Sequence, residues 1–160
     1  MKESEIKMQK EKLTTDEVQN EFAPSVSIGP FVLGSNVSDY FDKKYEHMKY
    51  RMADGDGDDY DSYFFQDYDI YITTKPDELK IDSITAETSV IWNEKNLIGM
   101  KITKFMKEFP VTLYKVEKGF YIMRHDQNQT VYDFENPDIQ VWTWWGKIVT
   151  VIISEFSEDN

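Results

Sequence analysis

The apolar residues of this chain follow two rhythms, and the succession of rhythms is given twice. Residues 32–41 read Val-Leu-Gly-Ser-Asn-Val-Ser-Asp-Tyr-Phe and residues 97–106 read Leu-Ile-Gly-Met-Lys-Ile-Thr-Lys-Phe-Met, which sets Gly34 on Gly99 and Val37 on Ile102, 65 residues apart. Downstream, Asp69-Ile70-Tyr71-Ile72 and Lys80-Ile81-Asp82-Ser83-Ile84 fall against Asp138-Ile139-Gln140-Val141 and Lys147-Ile148-Val149-Thr150-Val151, with Asp69 and Asp138 spaced by 69. Loops between elements absorb a four-residue difference of this kind. Repetition at such a period points to two copies of one supersecondary unit sharing a core.

Val26 to Gly34 has the alternation and the Gly/Pro breaks of a short strand entering a turn. Ser35 stands at an N-cap position, and Val37, Phe41, Tyr45 and Met48 recur at three- and four-residue steps, which predicts an amphipathic helix over 36–50. Residues 54–61 are an acidic break. Strands are expected at 63–65, 69–74 and 79–87, around a turn at 75–78. A second helix over 100–108 stops before Pro110, and strands follow at 111–116, 120–125, 130–134, 139–145 and 147–154, the last two joined by a tight turn at Gly146. The expected class is α+β: an antiparallel sheet packed with two amphipathic helices, with 26–90 and 95–154 as candidate tandem helix-plus-strands repeats. Residues 1–24 alternate Lys and Glu around Ile6, Met8, Leu13, Val18 and Phe22 and read as an N-terminal helix or mobile tail. Residues 25–160 read as a single domain.

Charge narrows the partners. Against 30 acidic side chains stand 18 Lys and Arg, a formal net charge of −12, which repels phosphate backbones and attracts a basic protein. The plainer reading of this acidity is solubility. With 40% apolar and 15% aromatic residues in 160, one sizeable core can be filled. The absence of cysteine removes disulfides, thiolate nucleophiles and sulfur-ligated metals and suits a reducing compartment. The N-terminus has no apolar run of the secretory kind, and no stretch is long enough to span a bilayer, so a cytoplasmic protein without a membrane partner is expected.

The acidic break carries the first candidate site. Asp54, Asp56, Asp58 and Asp59 suggest calcium, but with Asp54 as position 1 of an EF-hand the required glycine and terminal acid are Asp59 and Phe65. A solvated loop is one alternative and a contact surface for a basic partner the other; Tyr60, Tyr63 and Tyr68 among Asp61, Asp67 and Asp69 favour contact, because large amphipathic rings serve as interface anchors. His47 beside Glu46 reads as surface decoration, and in Arg124-His125-Asp126 the two neighbours point to opposite faces of a strand, so Asp126 is badly placed to orient His125. With no serine elbow, P-loop or dinucleotide fingerprint, no catalytic residue, metal site or cofactor is expected. Trp142 and Trp144 share one face of their strand and Trp145 the other. Either Trp142 and Trp144 are buried against a helix with Trp145 at the hairpin edge, or one face is an aromatic binding platform.

The run Ile28-Gly29-Pro30-Phe31-Val32-Leu33-Gly34 leading an amphipathic helix, then the acidic break, then Tyr68-Asp69-Ile70-Tyr71-Ile72 and Leu79-Lys80-Ile81-Asp82-Ser83-Ile84, resembles the small acidic bacterial immunity proteins. That family neutralises polymorphic toxins, including those of contact-dependent growth inhibition systems. The tandem arrangement also looks like the duplicated helix-plus-sheet architecture of the β-lactamase inhibitory proteins, which are secreted and disulfide-bonded. The resemblance spans about residues 26–153 and implies a non-catalytic, stoichiometric inhibitor of a basic toxin domain, a nuclease by preference. It assigns no residue. On the residues alone, Asp54, Asp56, Asp58, Asp59, Tyr60, Asp61, Tyr63, Asp67, Trp142 and Trp144 are the candidate contacts, the oligomeric state stays open, and a non-catalytic ligand-binding or assembly module, homodimeric through the aromatic sheet face, is the alternative.

Overall fold

Two-residue alternation governs far more of this chain than helical periodicity does. The structure, a computed structural model, describes residues 19–51 and 59–155. Strands β1 (Phe22–Ala23), β2 (Ser27–Ile28) and β3 (Phe31–Val32) form a small sheet, followed by a 3-10 turn at Val37–Tyr40 and by β4 (Glu46–Tyr50), β5 (Tyr60–Phe65), β6 (Ile70–Thr74) and β7 (Ile81–Ala86). The second half runs β8 (Ile91–Trp92), β9 (Lys95–Asn96), helix α1 (Ile102–Glu108), β10 (Thr112–Ile122), a 3-10 turn at Met123–His125, β11 (Gln127–Glu135), β12 (Ile139–Trp144) and β13 (Lys147–Ser154). Eight strands form one sheet in the order β10-β11-β12-β13-β7-β6-β5-β4, with every neighbouring pair antiparallel.

Each half supplies a four-stranded meander, and the meanders meet at their last strands. Ile84 lies opposite Ile153, flanked by Ser83 with Ser154 and Thr85 with Ile152. The loops that feed the meanders are also matched. Gly34 N–H donates to the Ile81 carbonyl at 2.9 Å and Gly99 N–H to the Ile148 carbonyl at 2.7 Å; Ile81 N–H returns to Ser35 and Ile148 N–H to Met100. Val37 N–H then bonds Leu79 and Ile102 N–H bonds Gly146, at 2.7 and 2.8 Å. Both glycines hold φ above +80°, a region side chains with a Cβ rarely adopt.

The two-helix expectation is overturned. Residues 36–50 form no α-helix: Asn36, not Ser35, caps a 3-10 turn that ends at Tyr40, and the chain re-enters the sheet as β4. The three- and four-residue spacing of Val37, Phe41, Tyr45 and Met48 is real but covers too few turns to separate the two structures. Cross-strand ring pairs decide it: Tyr50 stacks on Tyr60 at 4.7 Å and His47 on Tyr63 at 4.3 Å. The helix expected at 100–108 is Ile102–Glu108, the one α-helix among the described residues, so the halves are not two helix-plus-sheet copies of the β-lactamase-inhibitory kind. The class is antiparallel β with one short helix. Two strands expected at 111–116 and 120–125 are a single bulged β10 whose end turns into a 3-10 segment.

Inward residues of the sheet, with Ile70, Ile72, Ile84, Val151 and Ile153 at 1% exposure or less, pack against the small sheet, α1 and the loops between them. Phe31 anchors the first half, 4.6 Å from Phe65 and 5.3 Å from Tyr68, and Phe105 of α1 anchors the second against Phe134 at 5.4 Å. Phe22 bridges the halves by an edge contact to Trp92 at 5.1 Å. Asn20 belongs to this assembly: it is buried, and its side-chain amide donates to the carbonyls of Tyr68 and Ser89. The expected N-terminal segment 1–24 lies outside the described residues up to position 18, and its last residues contribute β1.

Candidate functional site

One face of the eight-stranded sheet carries α1 and the core; the other is not covered by any helix among the described residues. Alternation places Tyr60, Ser62 and Phe64 of β5, Tyr71 and Thr73 of β6, and Thr85 of β7 on this outer face, each half-buried between buried neighbours. Register extends it: Tyr71 pairs Thr85, Thr85 pairs Ile152, Ile152 pairs Gln140, and Trp142 pairs Val131. The sequence therefore builds a continuous outer surface across both halves.

In the first half that surface is aromatic. Phe64 stacks on Tyr71 at 4.5 Å beside the Tyr50–Tyr60 stack, and Met48 stands open at 57% exposure. Between them lies a hollow of about 520 Å³. Its far wall is Arg124, whose guanidinium sits 5.6 Å from the Tyr71 ring and is clamped by both carboxylate oxygens of Glu87. That bond to Glu87 holds the Arg124 pKa above its usual value. Burial is the main cause that raises the hydroxyls of Tyr60 and Tyr71 above the ordinary tyrosine value, so both are neutral hydrogen-bonding groups near pH 7.

In the second half the surface turns acidic. A hollow of about 620 Å³ is bordered by Asp133, Glu135, Asp138 and Glu155, with Tyr114, Gln140 and Ile152 between them. Of these acids Glu155 is bonded to Lys80 at 2.9 Å, and Asp133 accepts from Gln140 at 2.8 Å. Thr85 lines the aromatic hollow and its strand partner Ile152 the acidic one, so the two meet at the β7–β13 seam. Among the described residues no three His, Asp or Glu side chains are grouped to hold a metal ion, and no helix is long and apolar enough to cross a membrane.

The expected contact residues scatter. Asp54, Asp56 and Asp58 lie outside the described residues, as does the calcium reading built on them. Asp59 is half-buried and engaged, and Asp67 is exposed in the β5–β6 turn. Asp61 is not a surface acid: it is 1% exposed, pairs with Arg51 at 2.9 Å and accepts the Asp77 backbone N–H at 3.0 Å. Burial pushes its pKa up, but the Asp77 N–H and Arg51 outweigh it, leaving the carboxyl below its ordinary value. Tyr63 is likewise core, 4% exposed under His47. Strand β5 starts at Tyr60, and alternation turns Asp61 and Tyr63 inward while Tyr60 faces out.

Trp142 and Trp144 lie on the face opposite α1, so burial against a helix is not their role. Trp142 donates to Gln140 at 2.7 Å and packs on Phe120 at 5.4 Å; Trp144 is 38% exposed. Trp145 is 85% exposed at the hairpin tip, where it and Gly146 both have positive φ as a type I′ turn requires. An L-residue in that region costs roughly 1–2 kcal/mol. His125 sits in a 3-10 turn and not on a strand, with Nε2 3.8 Å from Glu87, while Asp126 accepts the Tyr121 hydroxyl at 2.6 Å. Met48, Tyr50, Phe64, Tyr71 and Arg124 escaped the sequence reading. The signal for Tyr50 and Met48 was alternation across 46–50, which the helical spacing masked.

No family model matches the chain, and neither do the curated proteins or the solved structures searched.

Proposed function

We propose that this chain is a non-catalytic binding protein that captures a basic protein domain on its outer sheet face, in the manner of a cytoplasmic immunity protein blocking a toxin nuclease. One observation carries the reading: an aromatic hollow and an acidic hollow share a seam on a single sheet face that no helix among the described residues covers. Stacked rings with neutral hydroxyls and an open methionine suit an apolar anchor from a partner, and four carboxylates beside it suit the partner's lysines and arginines. The formal charge of −12 would speed encounter with such a domain.

Trp142, Trp144, Tyr60 and the newly placed Met48, Phe64 and Tyr71 are the anchors in this reading. Asp61 and Tyr63 move to a supporting role, holding the β4–β5 edge on which Tyr50 and Tyr60 stand. The test is protection. A basic toxin domain encoded by the adjacent reading frame should be tolerated when co-expressed with the wild-type chain and should kill cells carrying the Tyr71→Ala/Phe64→Ser variant at equal soluble level. Protection that survives the double substitution would remove the aromatic hollow from the interface.

A further inference from the structure

Strand β10 closes one rim of the large sheet, and no strand among the described residues pairs with that rim. Natural proteins usually shorten or cover such rims, yet β10 runs eleven residues with Leu113, Tyr114, Val116, Phe120 and Tyr121 exposed. Two bulges against β11, between Leu113 and Lys115 and between Glu117 and Phe120, leave Lys115-Val116-Glu117 as the regular stretch between them. Lys115 and Glu117 lie on one face, Nζ to carboxylate 2.5 Å, so neither charge stands alone to repel an incoming strand.

We propose that β10 pairs antiparallel with β10 of a second copy of this chain, about a two-fold axis at Val116, joining two eight-stranded sheets into one. The occupant follows from charge. That axis sets Lys115 against the partner's Glu117 and Glu117 against the partner's Lys115, a four-charge array of alternating sign. Moving the axis to either neighbour on the stretch opposes Lys115 to Lys115 or Glu117 to Glu117, and like charges directly opposite destabilise a strand pair. An edge that is its own complement in one register is what an isologous two-fold contact demands. The other rim fails this test: β4 has five residues, and an axis at its central Met48 would oppose His47 to Lys49. The pairing needs no toxin partner and stands or falls apart from that reading.

The chain has no cysteine, so a single one reports cleanly. Residues directly opposite in antiparallel strands have Cβ atoms about 4.5–5.5 Å apart, close to disulfide reach. Val116→Cys should cross-link to a covalent dimer on mild oxidation, whereas Tyr121→Cys, whose counterpart across the axis is Val111, should cross-link far more slowly. By light scattering the wild type should be a dimer, Lys115→Glu and Glu117→Lys each a folded monomer, and their equimolar mixture a 1:1 heterodimer. Mixing does not restore the pair within either chain, so rescue reads only the contact between chains. A monomeric wild type at every concentration, equal cross-linking of the two cysteine variants, or a mixture that stays monomeric would overturn the pairing. Should the charge variants fail to fold, the cysteine comparison still decides.

Discussion

Ile84 faces Ile153 across the seam where the two meanders join, and both side chains are buried at 1% exposure or less. Sixty-nine residues separate them, while the patterns of the two strands they stand on, Lys80 against Lys147, align at 67. Around them the pairing is mutual: Ala86 meets Val151 on one side, and the Glu155 N–H donates to the Asp82 carbonyl at 2.9 Å on the other. The seam makes one sheet out of two.

Ile84→Ala and Ile153→Ala should each cost about 3 kcal/mol, the range for an isoleucine cavity in a packed core. The double variant should cost measurably less or more than the sum, because the residues share one contact. Urea unfolding should stay a single transition for the wild type. Two separate transitions would mean that each half folds without the seam.

Asp61 ties the β4–β5 edge to the turn after β6 through Arg51 and the Asp77 N–H. Its folded pKa lies below the ordinary value, so its contribution is fully present above the unfolded value and is lost as pH falls through the folded one. Asp61→Asn should lose about 2 kcal/mol at neutral pH, the scale of hydrogen bonds to a charged group. The gap to wild type should narrow below about pH 4. Parallel stability curves down to the acid limit would show that the ion pair contributes nothing.

Sequence pattern revealed most strands of the large sheet, because alternation in Ile70-Tyr71-Ile72 or Ile139-Gln140-Val141 is decided by one buried face. It failed at 36–50, where Val37, Phe41, Tyr45 and Met48 satisfy helical spacing while the ring pairs that settle the matter, Tyr50 with Tyr60 and His47 with Tyr63, come from a strand beyond the acidic loop. The same missing register hid Asp61. An aspartate among aspartates reads as solvated, and only its placement beside Arg51 and the Asp77 N–H shows it buried.

Trp145 sets stability against binding. Its positive φ costs roughly 1–2 kcal/mol, and Asn-Gly is the favoured pair for a type I′ turn. Trp145→Asn should therefore raise the unfolding midpoint. If the ring is an anchor, the same change should weaken partner binding by about 2 kcal/mol, close to thirty-fold. A variant that gains stability and keeps full affinity would leave Trp145 outside the contact.

The most direct measurement is the binding kinetics of the purified chain with the basic domain encoded beside it, at low and high salt. The expected result is a 1:1 complex whose association rate falls as salt rises, with Tyr71→Ala and Met48→Ala acting on dissociation and Lys104→Ala, on the helix side, leaving both rates unchanged. Each anchor should cost about tenfold or more in affinity. No complex with any neighbouring product, or a complex indifferent to Tyr71 and Met48 but sensitive to Lys104, would contradict the outer sheet face as the binding surface.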